Sequence, residues 1–226
     1  MVIRGIVFDM DDTLYLERDY VRSGFDHVAR MLATSELEAR GTADWLWSAF
    51  EAGVRGDTFD RLLAANSNLA ARTTAADMVD AYRAHSPNIT LSPGAPELLA
   101  LLRQNGLRVG VLSDGPLVSQ RAKADELRLD AWFDPILLTA SRDGFKKPAT
   151  AGFEWIAAKW SLLPAELAYV ADNPSKDFVG PRRLGWRTVR LRMPQQVTYA
   201  LQPTNDDQRP DAEVTDLSQA VNYLTS

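Results

Sequence analysis

Short apolar runs of strand length alternate with segments of helical period along most of this chain, and that alternation restricts it to an α/β arrangement built on a parallel sheet. The runs fall at residues 6–8, 107–112, 135–139, 167–171 and 187–191. Between them, Ala95, Leu98, Leu99 and Leu102 share one helix face ahead of Gly106, a residue suited to a helix C-terminus, and Phe153, Ile156, Ala157 and Trp160 repeat the pattern. In such folds the helices cover both faces of the sheet and ligands collect beyond the carboxyl ends of the strands.

Residues 15–91 break the alternation. They carry helical spacing, as in Val21, Phe25, Val28, Ala29 and Leu32, and no strand pattern, so they read as an inserted helical lobe. Ser86-Pro87 and Ser92-Pro93-Gly94 mark its second boundary with turn and helix-start residues. The expected organisation is therefore an α/β core from 1–14 and 92–226 with a small helical domain from 15–91. The polar, proline-containing stretch 194–210 reads as an exposed loop, followed by a last strand and helix within 214–224.

The first run ends in Asp9-Met10-Asp11-Asp12-Thr13. Carboxylates crowded at a strand's end raise one another's pKa unless a cation or proton intervenes, so the turn invites a metal. The chain has no cysteine and two histidines, which excludes disulfides, thiolate nucleophiles and zinc–thiolate sites and favours oxygen ligands. A net charge of −5 argues against a nucleic-acid partner. No apolar stretch reaches membrane-spanning length and the N-terminal run is too short for a signal peptide, so a soluble, cytoplasmic protein is expected.

Three more elements follow in order. Ser113-Asp114-Gly115 ends the second run ahead of a helix whose first amides suit an anion. Lys147-Pro148 precedes the Phe153 helix. Asp172 ends the 167–171 run, and Asn173-Pro174-Ser175-Lys176-Asp177 places a second acid five residues on.

In this order the elements resemble the haloacid dehalogenase (HAD) superfamily, specifically its phosphatase-like members with a helical cap inserted after the first motif. The resemblance covers essentially the whole chain and implies a Rossmann-like core, Mg2+ and hydrolysis of a small phosphorylated metabolite through an aspartyl phosphate. It assigns Asp9 as nucleophile and Asp11 as general acid/base. It gives phosphate binding to Ser113, Lys147 and the Asp114-Gly115 backbone. Mg2+ falls to the Asp9 carboxylate, the Asp11 carbonyl and Asp172, with Asp177 and Asn173 behind the metal or orienting the loop. Lys146 reads as a surface neighbour of Lys147. Asp114 stands where the family often has Asn, Ala171 where it has Gly, and Ala149 where Asp is common; none of these removes a catalytic side chain.

A phosphosugar mutase keeps the same residues, and a non-catalytic relative is a further alternative. A 2-haloacid dehalogenase shares the nucleophile, but lacks an acid at the Asp11 position. Members of this group occur as monomers and homodimers. Asp12 is expected to point outward or cap the turn. Trp45, Leu46, Trp47 and Phe50 read chiefly as packing, His27 and His85 as surface or hinge residues, and Arg18, Arg22, Arg55 and Arg61 as solvated helix faces or anion contacts.

Overall fold

The computed structural model describes residues 2–225 and divides them into two compact units. One holds the chain up to Arg18 and from Thr90 onward; the other is Asp19–Ile89. The first is built on a parallel sheet of strands β1 (Gly5–Phe8), β2 (Arg108–Ser113), β3 (Ile136–Leu138), β4 (Leu167–Ala171), β5 (Arg187–Leu191) and β6 (Ala212–Val214), in the spatial order β3-β2-β1-β4-β5-β6. The chain steps from β1 outward to β3, then returns to the other side of β1 at β4. That reversal opens a crevice at the carboxyl end of β1, between β2 and β4, where doubly wound sheets bind ligands.

The second unit carries most of α1 (Glu17–Leu32), with α2 (Glu36–Glu51), α3 (Thr58–Ala65), α4 (Ser67–Ala70) and α5 (Ala75–Ala84). The apolar residues Val21, Phe25, Val28, Ala29 and Leu32, spaced by three and four, are all buried along one side of α1. Phe25 meets Phe50 and Phe59 edge-to-face with ring centres 6.5 and 6.0 Å apart. Trp47 stacks on Phe50 at 5.2 Å while Trp45 stays exposed, so the tryptophan-rich segment contributes packing as expected. His27 is exposed, but His85 is buried with its Nδ1 2.6 Å from Tyr82 O, which corrects the surface reading: the ring fills space among Tyr20 and Tyr82. Arg22 pairs with Asp26 and Asp44, and Arg61 with Asp57. Arg55 donates to Phe50 O.

The core's remaining helices are α6 (Ala95–Gln104), α7 (Leu117–Glu126), α8 (Ala151–Trp160), α9 (Val179–Leu184) and α10 (Leu217–Thr225). Leu167, Tyr169 and Ala171 alternate onto one face of β4, where they join Phe153, Ile156 and Trp160 of α8 in a buried cluster. α6 and α10 touch each other. Among the described residues no helix is long and apolar enough to cross a membrane.

One further expectation needs correction. The 194–210 stretch is not simply an exposed loop: Gln196 is buried and donates to Asp12 O at 2.6 Å and Leu191 O at 3.1 Å. Of the two placements expected for Asp12, outward or capping the turn, the structure takes the second: it is buried at φ 52°. Its Oδ1 accepts from Glu17 N–H at 2.8 Å and its Oδ2 from Val197 N–H at 2.6 Å, so it caps the start of α1 and holds the 194–210 segment against the turn. The reason is local: a turn that leaves several amides without helical partners needs a buried acceptor for them.

Candidate active site

Asp9 is the first residue past β1, and its N–H donates to Val170 O on β4, so the sheet itself fixes the carboxylate at the crevice. It is buried, its Oδ1 accepts from Met10 N–H at 2.8 Å, and its Oδ2 lies 3.0 Å from Lys147 Nζ. Lys147 also lies 2.7 Å from Asp177 Oδ1 and donates to Tyr169 Oη at 2.9 Å. Burial works against the ammonium, but Asp177, Asp9 and Asp114 together raise its pKa strongly, so it stays charged.

Carboxylate oxygens of Asp9, Asp172 and Asp177 lie within 4.8 Å of one another, all three residues buried. Burial is the main cause that raises the pKa of Asp9 and Asp172, and Asp177 adds to both; Lys147 partly opposes it at Asp9. Three buried acids so close together, with one bonded lysine among them, favour a cation or a proton in their midst. This all-oxygen donor set fits a hard divalent cation such as Mg2+. Asp177 Oδ2 accepts from Asn173 N–H at 2.9 Å, and Asn173 Oδ1 accepts from Ser175 N–H at 3.0 Å and Oγ at 2.6 Å. Both side chains thus organise the loop after β4. Thr198 Oγ1 donates to Asp172 Oδ2, and the buried Arg190 donates to Asp172 O at 3.0 Å.

Asp11 turns to a different set of partners. Its Oδ1 lies 2.7 Å from Lys123 Nζ and accepts from Tyr15 Oη, and its Oδ2 accepts from Gln120 Nε2 at 2.8 Å. Burial raises its pKa, yet Lys123, by charge and hydrogen bond, with Tyr15 and Gln120, carries it below the ordinary carboxylate range. Gln120 Nε2 also reaches Ser113 Oγ at 3.1 Å and Asp114 O at 2.5 Å, tying Asp11 to the end of β2. Gly115 lies beneath it at φ +145°, where an added Cβ would meet Gln120 Nε2 at 2.8 Å; the position requires glycine on both counts. The Asp114 carboxylate turns away, accepting from Thr139 Oγ1 at 2.6 Å and Lys147 N–H at 3.3 Å, and braces the lysine's loop.

The residues expected from the motifs therefore gather at the carboxyl ends of β1, β2 and β4, while Asp11 stands outside the acidic trio. Sequence reading missed Lys123, Gln120, Tyr15, Thr198 and Gln196. A signal existed for two of them: Gln120 and Lys123 are polar residues three apart on the buried side of α7, where a helix packed on a sheet should be apolar. The residues of the 194–210 segment carry no such mark.

The chain matches the haloacid dehalogenase-like hydrolase family over residues 3–185 and belongs to it. Among its relatives are two archaeal proteins named glyceraldehyde 3-phosphate phosphatase. The one from Methanopyrus kandleri is 27% identical over 94% of this chain and 93% of its own, and the one from Methanocaldococcus jannaschii is 26% identical over 99% and 97%. Among solved structures, the HAD-hydrolase YfnB from Bacillus subtilis, crystallised with magnesium, superposes with a TM-score of 0.67 over the full length of both chains at 20% identity.

Proposed function

We propose that the protein is a Mg2+-dependent phosphatase of small phosphorylated metabolites, working in the cytoplasm, in which Asp9 is the nucleophile and Asp19–Ile89 the cap domain. The observation that carries this reading is the environment of the Asp9 carboxylate. It is buried and pinned by one amide, 3.0 Å from a lysine, and shares a closed space with two further acids that fit a divalent cation.

A carboxylate and a phosphate dianion repel each other, so attack requires their charges to be screened. Asp9 and Asp172, with the Asp11 carbonyl, are the residues that would hold Mg2+, which supplies that screening when bound. Lys147, Ser113 Oγ and the amides of Asp114 and Gly115 would bind the phosphoryl oxygens. An Asp9 oxygen attacks phosphorus as the ester P–O bond breaks, giving an aspartyl phosphate and a leaving alkoxide that needs a proton. Asp11 delivers it, then removes a proton from the water that attacks the intermediate and releases phosphate. Asp11 rests as a carboxylate in its ion pair with Lys123 at 2.7 Å, so it must first gain a proton from solvent. Asp177 and Asn173 hold Lys147 and the loop in place.

Phosphate release from an aryl phosphate, with Mg2+ or chelator, for the native protein and Asp9→Asn tests the reading. Release that needs both Mg2+ and Asp9, with hydroxylamine-sensitive phosphate trapped by acid quench on the native chain alone, is expected. Equal release by Asp9→Asn would overturn it, and conversion of a phosphosugar to its isomer without phosphate release would show a mutase instead.

A further inference from the structure

Besides the acidic trio, the carboxyl end of the sheet holds a cavity of about 710 Å³, formed entirely within the α/β unit and lined by Asp114, Gly115, Thr139, Arg142, Asp143, Lys146, Asn173 and Lys176 among others. It shares Asp114 and Gly115 with the phosphate-binding turn and Asn173 with the loop after β4, and its size suits a small metabolite. Three cations face it. Lys176 is half-buried.

Arg142, Lys146 and Lys176 form no ion pair among the described residues. Arg142 lies over the rings of Trp155 at 4.6 Å and Phe145 at 5.6 Å, an arrangement that orients the guanidinium and leaves its N–H edge to bond an anion. Of the two lining acids, Asp114 has Oδ1 engaged by Thr139 Oγ1 and the Lys147 amide, while its Oδ2 has no hydrogen-bond partner among the described residues. The other is the exposed Asp143. Lys147, 3.0 Å from Asp9, is the cation that the phosphatase reading gives to the transferred phosphoryl group, so these three cations exceed what that group requires.

Resting on the phosphatase reading, we infer that this cavity receives a second anionic group of the substrate, a carboxylate or a second phosphate, bound by Lys176, Lys146 and Arg142. The substrate would then be a phosphorylated acid or a bisphosphate rather than a phosphorylated neutral sugar or aldehyde.

The test compares kcat/KM for matched esters: 3-phosphoglycerate against glyceraldehyde 3-phosphate for the carboxylate, fructose 1,6-bisphosphate against fructose 1-phosphate for the second phosphate, with an aryl phosphate alongside. At least one anion-bearing ester should exceed its neutral partner about tenfold or more, equivalent to about 1.4 kcal/mol. Lys176→Gln and Arg142→Gln should bring that ratio toward one chiefly through KM, and Lys176→Arg should restore most of it. The pair that shows the preference identifies the anion. Cleavage of the aryl phosphate with no preference in either pair, or a preference unmoved by both charge removals, overturns the inference and leaves the phosphatase reading standing. No phosphate from any ester overturns both.

Discussion

Lys123 places its ammonium 2.7 Å from Oδ1 of Asp11, and both side chains are largely withdrawn from solvent, at 6% and 19% exposure. The proposed acid/base thus rests as half of an ion pair supported by Tyr15 and Gln120. Lys123→Met should lower kcat by about 10²-fold, within the usual range for proton transfer by a positioned group, with a smaller change in KM. Lys123→Arg should recover only part, because a guanidinium keeps the charge but not the compact geometry of the ammonium. Asp11→Asn should suppress kcat at least as far. Steady-state kinetics with an alkyl ester, whose leaving group needs the proton, checks all three; an unchanged kcat in Lys123→Met would show that it does not position Asp11.

Thr198 reaches Asp172 from the 194–210 segment, and Gln196 and Val197 secure that segment to Asp12. Thr198→Val keeps the volume and removes the donor. Loss of a partner that orients a metal-ligating carboxylate typically costs 10–100-fold in metal affinity. Titration of the purified protein with Mg2+ by calorimetry should show a weakening in that range, and an unchanged affinity would leave Thr198 a packing residue only.

Glu17, half-buried near Asp11 and Asp12, has its pKa pushed up to about 7, first by burial and then by those acids, with Lys123 and Lys176 opposing. Its folded-state pKa lies above the unfolded value, so its stabilising contribution is complete below about pH 4.5 and is lost as the pH rises through about 7. Metal-free Glu17→Gln should therefore melt higher than the native protein at pH 8, by about 2–4 °C per kcal/mol recovered in a chain of this size, and match it near pH 4. Asp12, pushed up to about 6 mainly by burial, acts with the same sign. Thermal melts of both proteins across pH decide the matter; a constant difference at every pH would show that the effect is not ionisation.

Gly115→Ala would place a Cβ against Gln120 in a backbone conformation unfavourable to alanine. The displaced amide bridges Asp11, Ser113 and Asp114, so kcat/KM should fall about tenfold or more while the melting temperature drops by only a few degrees. The companion Gln120→Ala, which removes the amide and leaves the turn intact, should reproduce the kinetic loss without the drop in stability.

Period and punctuation made the sheet legible. The runs at 107–112, 167–171 and 187–191 became β2, β4 and β5 within a residue or so, because buried parallel strands are continuously apolar and their ends are marked by polar turns. The first run, 6–8, became β1 with one residue added before it. β1 stops at Phe8, since the residues from Asp9 onward spend their amides on the turn and on Val170 rather than on a ladder. Asp9, Asp172 and Asp177 were readable one by one from their offsets to strand ends, but the reading set Asp177 behind the metal; folding brings its carboxylate as close as the other two.

What the sequence determined alone was the set of residues at the strand ends and their chemical types, because these follow from local periodicity and turn chemistry. The tertiary structure decided which partner each of them keeps. Asp11 faces a lysine 112 positions away, while Asp12 bonds an amide 185 positions away, distances over which no local pattern carries information. It also set the ionisation of those groups, since a pKa in a buried site depends on every charge that folding gathers around it and on the water that folding excludes.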